Sequence, residues 1–365
     1  MQKKIIALAI ASALAAPAAF ADSGNVTVYG VASVAFDLTD NGVVSTNKVS
    51  SNQSRIGLKG SEDLGDGLSA VWQVEQLITI DSSSGAGNTL ATRNTFAGLS
   101  SGSMGTFILG RHDTPYKIAT RGLDVFADTI ADNRGLMGST AGGGAFAGVH
   151  DTRLGDVAAY ISPAMSGFTG IIAHVSGAEA TATSAQVKGT AWSMAGLYGN
   201  GPINASLSYQ VVDVGTAGTG TMGGFGGLAG NDKAKAWKLG GGYTMDAFTV
   251  NAAYEKTSNT IGGASAAGQS NWYLGGKYSF GTDAVKLAYT RAGDVQATSN
   301  TGAQQWALGY DHSMSKRTTL YALYTRLSND TGASYGLTSV STGATPAAAA
   351  GQDPSAWSFG MKHTF

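Results

Sequence analysis

Charged side chains in this sequence are concentrated in one stretch. Between Arg111 and Arg134 a third of the residues are charged, whereas Asp, Glu, Lys and Arg make up 13% of the whole chain. Acidic and basic residues are interleaved there, so they can pair with each other or present charge to a passing solute. The charged residues of this stretch are Arg111, Asp113, Lys117, Arg121, Asp124, Asp128, Asp132 and Arg134.

Two His–Asp neighbours near this stretch raise the question of catalysis. They are His112–Asp113 and His150–Asp151, and a histidine beside a carboxylate can act in general acid–base chemistry. No GxSxG nucleophile elbow is predicted, because the two GxSxG matches, residues 98–102 and 332–336, do not lie between a strand and a helix. The sequence contains no HExxH spacing for a metal and no glycine loop that ends in Lys-Ser/Thr. Turns and ion pairs in a loop explain the His–Asp pairs equally well, so we expect no enzyme, no metal and no cofactor.

Most of the remaining chain alternates apolar with small or polar residues, which is the period of a β-strand with two different faces. Short turns rich in Gly, Asn and Asp alternate with long loops between these segments. No cysteine is present, and glycine is abundant, with 53 residues against 6 prolines. The predicted strands cover residues 26–37, 54–60, 68–77, 92–100, 106–111, 156–161, 168–175, 192–198, 203–210, 237–244, 248–255, 271–280, 285–291, 305–312, 318–326 and 356–365.

The second predicted strand separates charge from apolar side chains. Ile56 and Leu58 share one face, and Arg55 and Lys59 share the other, about 13 Å apart along the strand. An arginine that faced lipid in the middle of a membrane would cost about 2–4 kcal/mol. If the strands cross a membrane, Arg55 and Lys59 must therefore face the inside of a closed sheet.

An even number of such strands, alternating short and long connections, and aromatic residues near strand ends are typical of an outer-membrane barrel. The last strand carries Trp357, Phe359 and Met361 at alternate positions and ends on Phe365, the final residue. We therefore predict an all-β fold, a transmembrane antiparallel β-barrel of 16 strands, in one domain over residues 22–365. A long third external loop, about residues 112–152, is expected to fold into the lumen. A soluble β-solenoid or sandwich is the alternative.

Residues 1–21 have the pattern of a secretory signal peptide. Lys3 and Lys4 precede an apolar run, and Ala19-Phe20-Ala21 fits a cleavage site. The alternative is an uncleaved anchor, for which the apolar run is short. Without this segment the chain has 21 basic and 24 acidic side chains, a net charge too small to indicate nucleic acid as a partner.

Several segments carry a resemblance to a known family. They are NVTVYGVASVAF, SRIGLKGSEDLGDGLSAVWQVE, FAGLSSGSMGTFILGRHDTPY, AYISPAMSGFTG, LGYDHSMSKRTTLYALYT and the terminal SFGMKHTF. In this order they resemble the general porins of the Gram-negative outer membrane, of the trimeric β-proteobacterial type. The resemblance implies export through the periplasm, a homotrimer in contact with outer-membrane lipid and lipopolysaccharide, and passive diffusion of small hydrophilic solutes and inorganic ions.

The resemblance also implies an arginine cluster on the wall at the narrowest point of the pore. Arg55 in SRIGLKG matches one position, and Arg93 in ATRNTFAGL and Arg153 in HDTRLGDVAAYISP match two others. Because distant charge is screened beyond about 8–10 Å, these local charges should give a mild anion preference. The expected constriction comprises Arg55, Lys59, Arg93, Arg153, Arg111, Asp113, Asp124 and Asp128.

Three alternatives remain open at this point. The charges could only pin the loop to the wall, the barrel could be a substrate-specific channel, or its lumen could be plugged, as in a structural barrel or adhesin. The predicted inner faces are mostly small or polar, and Tyr29, Tyr116 and Tyr273 are the inward aromatic candidates. Within the loop, Asp124–Asp132 could form a short helix.

Overall fold

The computed structural model describes residues 25–81, 90–138, 150–176, 188–215, 233–261, 264–337 and 348–365. The stretch interpreted as a signal peptide, residues 1–21, lies outside these ranges. Within them the chain is almost entirely β-strand. No helix among the described residues is long and apolar enough to cross a membrane.

The first part of the chain forms seven strands and two short helical turns. They are β1 (Asn25–Asp40), β2 (Ser45–Ser51), β3 (Arg55–Gly65), β4 (Leu68–Leu77), β5 (Thr95–Ser101), β6 (Gly105–Asp113), helix α1 (Pro115–Arg121), a 3-10 turn (Asn133–Gly135) and β7 (Arg153–Ile161).

The second part of the chain consists of strands alone among the described residues. They are β8 (Phe168–Val175), β9 (Lys188–Asn200), β10 (Ile203–Gly215), β11 (Lys233–Met245), β12 (Phe248–Ile261), β13 (Ala264–Phe280), β14 (Asp283–Ala292), β15 (Ala303–Ser313), β16 (Thr318–Asn329) and β17 (Ser355–Thr364).

The sheet closes on itself because the last strand pairs with the first. β17 runs antiparallel to β1, with Phe36 opposite Phe359, and the Phe365 carbonyl accepts a hydrogen bond from the Gly30 amide at 2.9 Å. A closed sheet leaves no unpaired strand edge, which is what a lipid environment demands of the backbone. The terminal aromatic residue thus belongs to the closing ladder, as the pattern of the last strand indicated.

β2 and β3 occupy one position in the barrel, one after the other. Both pair with β1, β2 along Val34–Asp40 and β3 along Asn25–Val31. The break between them contains Gln53 in a left-handed conformation, with φ of 56°. Seventeen segments therefore fill sixteen positions, and the predicted sixteen-stranded barrel is confirmed. The prediction missed β2, since its sequence STNKVSS has no clear apolar face.

The two faces of the sheet differ as the alternation predicted. Large apolar side chains are exposed on the exterior, among them Leu207, Leu239 and Leu308, whereas Ser206 and Ser208 are buried on the inner side. The exterior apolar band suits contact with lipid tails. Charge on the inner side is then either paired or faces the lumen.

The helix in the long loop lies earlier than expected. Asp124–Asp132 does not form a helix; the helix is α1, where Thr114 caps the Lys117 amide and Pro115 stands at the first position. Asp124 instead accepts hydrogen bonds from the Phe126 and Asn133 amides at 2.9 Å. Aspartate side chains that bind nearby backbone amides compete with the helical bonds, so this part folds as successive turns.

Gly98→Ala should destabilise the barrel by about 1–3 kcal/mol, the usual cost of an added methyl in a packed site. A Cβ on Gly98 in β5 would overlap the Phe107 carbonyl oxygen of the neighbouring strand, and ladder backbone cannot move aside. Urea unfolding in lipid, followed by tryptophan fluorescence, measures the change. Gly196→Ala in β9 is the matched control, because nothing lies within 4 Å of its added Cβ. Equal destabilisation of the two variants would contradict the account.

Candidate functional site

The long loop between β6 and β7 lies against the inner wall of the barrel. Its Val125 amide donates to the Tyr273 hydroxyl on β13 at 2.9 Å, and Asn251 on β12 donates to the Leu123 carbonyl at 2.8 Å. Helix α1 packs on β8 to β11. The described part of the loop is therefore inside the lumen, as predicted.

Two wall glycines make room for the loop. A Cβ on Gly240 in β11 would come within 2.5 Å of Leu123, and one on Gly309 in β15 within 2.6 Å of Phe126. Phe126 is completely buried in this contact. The apolar side of the loop thus packs against the wall like a small core, and its polar side is left for the lumen.

A buried carboxylate joins the loop to the same part of the wall. Glu255 on β12 accepts hydrogen bonds from the Tyr116 hydroxyl at 2.6 Å and from the Gly138 amide at 2.7 Å. Lys238 on β11 lies 3.1 Å from Glu255 and 2.8 Å from Asp151. Because a buried charge is costly without partners, this cluster fixes both the start and the end of the loop on β11 and β12.

The loop neutralises most of its own charge. The Arg121 guanidinium lies 2.6 Å from both Asp128 and Asp132, and Arg134 lies 3.0 Å from Asp132. Asp124 is 4.0 Å from Arg121 and relies mainly on backbone amides. Five interleaved charges therefore form one network within the turns of the loop.

Burial and neighbouring charge shift the pKa values of two loop carboxyls, Asp124 and Asp128, in opposite directions. Burial, together with the negative charge of Asp132, raises the pKa of Asp124 to about 6. Burial would also raise the pKa of Asp128, but Arg121, Arg55 and Arg134 hold it well below its usual range. Asp124 is thus the loop carboxyl that titrates near neutral pH.

Opposite the loop, the wall carries Arg55 on β3 and Arg93 before β5. Arg93 lies 2.5 Å from Glu75 on β4, and Tyr29 donates to the same carboxylate at 3.0 Å. Arg55 is farther from carboxylates, 3.8 Å from Glu75 and 3.6 Å from Asp128 on the loop. Arg55 is therefore the wall arginine that reaches across to the loop.

A second group lies where the loop leaves and rejoins the barrel. Arg153 at the start of β7 lies 3.0 Å from Asp113 at the end of β6, and Lys117 lies 2.8 Å from the same carboxylate. Asn94 accepts a hydrogen bond from Arg153 at 2.6 Å. The structure thus brings Arg153 and Asp113 together as an ion pair at the base of the loop.

Lys59 and Arg111 differ in placement. The Lys59 ammonium lies 5.4 Å from the centre of the Tyr29 ring on the inner side. Arg111 lies at the end of β6, where the ladder with β7 is irregular between Gly110 and His112, and its guanidinium donates to the Thr92 carbonyl at 3.2 Å. The structure does not bring Arg111 to the other charges of the expected constriction.

Three inner residues near the loop were not among those expected. Glu75 binds both wall arginines, and Lys286 on β14 lies 2.8 Å from Asp311 and 4.9 Å from the centre of the Phe126 ring. Lys362 on β17 lies within electrostatic range of Arg55. Alternation places such residues inside, but it gives no height along the barrel, so it cannot select those at the depth of the loop.

The His–Asp neighbours have no catalytic arrangement among the described residues. His112 contacts the backbone carbonyl of Asp113, and the ring of His150 lies 3.4 Å from Asn259 and from Gln210. No group of three His, Asp or Glu side chains that could hold a metal occurs in the part of the chain that the structure describes.

Comparison with known proteins decides the family. The sequence pattern of the Gram-negative porins matches residues 7–333. The chain belongs to this porin family. Outer membrane porin protein 32 of Delftia acidovorans is 30% identical over the full length of both chains. Major outer membrane protein P.IB of Neisseria gonorrhoeae is 26% identical over 87% of this chain and 91% of its own length.

Solved structures agree with this porin assignment. The anion-selective porin from Comamonas acidovorans superposes with a TM-score of 0.78 at 26% identity, covering 93% of this chain and 99% of its own. The protein is thus an outer-membrane porin, a transmembrane β-barrel that forms a channel for passive diffusion. The members of the family are channels rather than enzymes.

Asp124→Asn should make the packing of the loop less sensitive to pH. In the wild type the raised pKa favours the protonated carboxyl in the packed loop, so the packed state loses stability as the pH rises from about 4 through about 6. Hydrogen–deuterium exchange of residues 121–138 between pH 5 and 7.5, corrected for intrinsic exchange, measures this loss. The wild type should show a step that the variant lacks.

Asp128→Asn is the control for this experiment. The lowered pKa of Asp128 keeps that carboxyl ionised throughout the window, so its removal should leave the step near pH 6 in place. A step of the same size in Asp124→Asn would show that another group is responsible.

Proposed function

We propose that this porin is a homotrimeric channel for small hydrophilic solutes and inorganic ions, with a mild preference for anions. The constriction would lie between the loop and the wall around β3. Arg55, Lys59, Arg93 and Asp128 would act there, and Arg153 and Asp113 would hold the base of the loop.

The proposal rests on a difference in ion pairing between the acidic and the basic side chains at the site. Four acidic groups at the site have a close cationic partner: Glu75 at 2.5 Å, Asp128 and Asp132 at 2.6 Å, and Asp113 at 2.8 Å. The fifth, Asp124, is buried and bound by backbone amides. Arg55 has no carboxylate nearer than 3.6 Å. Lys59 and Lys362 form no ion pair with any described residue. The unsatisfied charge that faces the lumen is therefore positive, which favours anions at close range.

The similar structure from Comamonas acidovorans supports the same sign, since it is described as an anion-selective porin. The inward tyrosines give no support to a sugar-specific channel, because each is engaged in the wall or the loop. Tyr29 and Tyr116 donate to Glu75 and Glu255, and Tyr273 accepts from the loop backbone. They do not form a row along which a sugar ring could slide.

The exterior supports the proposed assembly. An apolar groove on the outside of β1, β2, β16 and β17 is lined by Val34, Phe36, Val49, Leu320, Phe359 and Met361. Such a surface would be covered either by lipid or by a second copy of the chain. The trimer would use part of this exterior, and lipid, including lipopolysaccharide, would contact the rest.

Arg55→Ala should weaken the anion preference. One positive charge about 7 Å from a permeating ion changes the energy of that ion by about 0.6 kcal/mol in water and by about 0.3 kcal/mol once 0.1 M salt screens it. The change has opposite signs for anions and cations, so the anion-to-cation permeability ratio should fall roughly threefold. The reversal potential across a planar bilayer under a salt gradient measures the ratio. Arg317→Ala, at an exposed turn, is the matched control and should leave the ratio unchanged. An unchanged ratio in Arg55→Ala would limit this arginine to holding the loop.

Asp128→Asn should shift the ratio in the opposite direction. The substitution removes the carboxylate that faces Arg55 at 3.6 Å and leaves both Arg55 and Arg121 less compensated. The same bilayer experiment should show a stronger anion preference, again by about threefold. The absence of any stepwise conductance in the wild type would contradict an open channel and favour a plugged barrel.

A further inference from the structure

The wall next to Arg55 contains one extra residue, at the break between β2 and β3. Ser51 at the end of β2 is opposite Val34, and Arg55 at the start of β3 is opposite Val31. Three residues therefore lie between Ser51 and Arg55 where β1 has only two, which is the arrangement of a β-bulge. A bulge redirects a side chain away from the regular alternation of a strand, and bulges are common beside functional sites.

The two residues that flank the centre of this bulge are fastened to one residue of β1. The Ser33 carbonyl accepts hydrogen bonds from the Asn52 amide at 2.8 Å and from the Ser54 hydroxyl at 2.9 Å. Gln53, between them, has a left-handed backbone conformation with φ of 56°. That conformation is costly for a residue with a side chain and persists only where the surroundings impose it. The backbone of Gln53 is therefore fixed by its neighbours.

In this conformation Gln53 contacts both wall arginines. Its backbone carbonyl accepts a hydrogen bond from the Arg55 guanidinium at 3.1 Å, and its side-chain oxygen accepts one from Nη1 of Arg93 at 2.5 Å. The amide atom that faces Arg93 must be the oxygen, because a guanidinium only donates. Arg93 also donates through Nε to Glu75 at 2.5 Å. The guanidinium of Arg93 is thus held at two points, of which one is a neutral amide.

A neutral partner affects the lumen differently from a carboxylate. Arg121 in the loop is bound by Asp128 and Asp132, so its charge is compensated locally. An amide or carbonyl oxygen also fixes a guanidinium in position, but it carries no net charge to cancel the positive one. Glu75 supplies a single negative charge to the two wall arginines, and one positive charge of this group is therefore left over.

We propose that Gln53 is a positioning residue of the constriction, which holds Arg55 and Arg93 on the wall without neutralising them. The inference rests on the proposed function, in which the same arginines set the ion preference. A carboxylate in place of the amide would hold Arg93 equally well but would remove the excess positive charge. A side chain without an acceptor would leave the charge in place and release the Arg93 guanidinium.

The first test observes Arg93 directly, by NMR of protein with isotopically labelled arginine. Its two Nη groups should give separate signals, identified by their loss in Arg93→Lys, because bonds at Nε and Nη1 slow rotation of the guanidinium. Gln53→Met keeps the length of the side chain and removes its oxygen, so the signals should merge. Gln304→Met is the matched control, since the Gln304 amide accepts from Tyr289 on the exterior. Separate signals in Gln53→Met would overturn the proposal.

The second test measures the anion-to-cation permeability ratio of the same variants. Gln53→Met should lower the ratio by about 1.5-fold to twofold, the change expected if the guanidinium moves from about 7 Å to about 10 Å from the ion path. Gln53→Glu should keep the NMR signals separate and lower the ratio roughly threefold, because it adds one negative charge. In an Arg93→Ala background Gln53→Met should have no further effect. An equal effect in both backgrounds would overturn a role that acts through Arg93.

The two readouts separate this inference from the proposed function. Merged signals with an unchanged ratio would support the positioning role of Gln53 and contradict the part of the proposed function that assigns the ion preference to the arginines. Separate signals in Gln53→Met overturn the positioning role whatever the ratio does. Gln53→Gly lacks the amide and adopts the left-handed conformation without strain, so it answers the same question if Gln53→Met fails to fold.

Discussion

The need to pair every backbone amide and carbonyl within lipid determines the rest of this structure. It demands a closed sheet, and the closing pair of β1 and β17 extends to the final residue, where Phe365 bonds Gly30. Closure then divides the side chains between two environments, because alternate residues face lipid or the interior. Charge is admitted only inside or at the interfaces, and so the interior collects the groups that act on solutes.

The inner wall of the barrel also holds the charged loop between β6 and β7 in place. The apolar side of the loop packs through Leu123 and Phe126 onto wall glycines, while Glu255 and Lys238 supply buried polar partners. Most acidic charge is used up in these contacts and in the network around Arg121. The contacts that hold the loop rigid are therefore the same contacts that neutralise most of its acidic side chains.

Alternation alone predicted most of the fold, because the period of two is imposed directly by the pleat. It failed at β2, whose sequence STNKVSS has no clear apolar face. It placed Arg55 and Lys59 inside, as the structure shows. The Glu255 cluster was beyond it, because Lys238 and Glu255 on neighbouring strands meet Tyr116 and Asp151 of the long loop, whose path no local pattern encodes.

The anchoring of the loop has a geometric consequence. Its helix packs on β8 to β11, and its turns contact β12, β13 and β15. Among the described residues, its ion pair with β3 is the 3.6 Å contact between Arg55 and Asp128. The described part of the loop is thus fastened to one side of the barrel, and β1, β3, β4 and β17 belong to the other side. Substitutions on those four strands can retune which ions pass without loosening the loop, so permeation and folding stability can diverge independently among relatives.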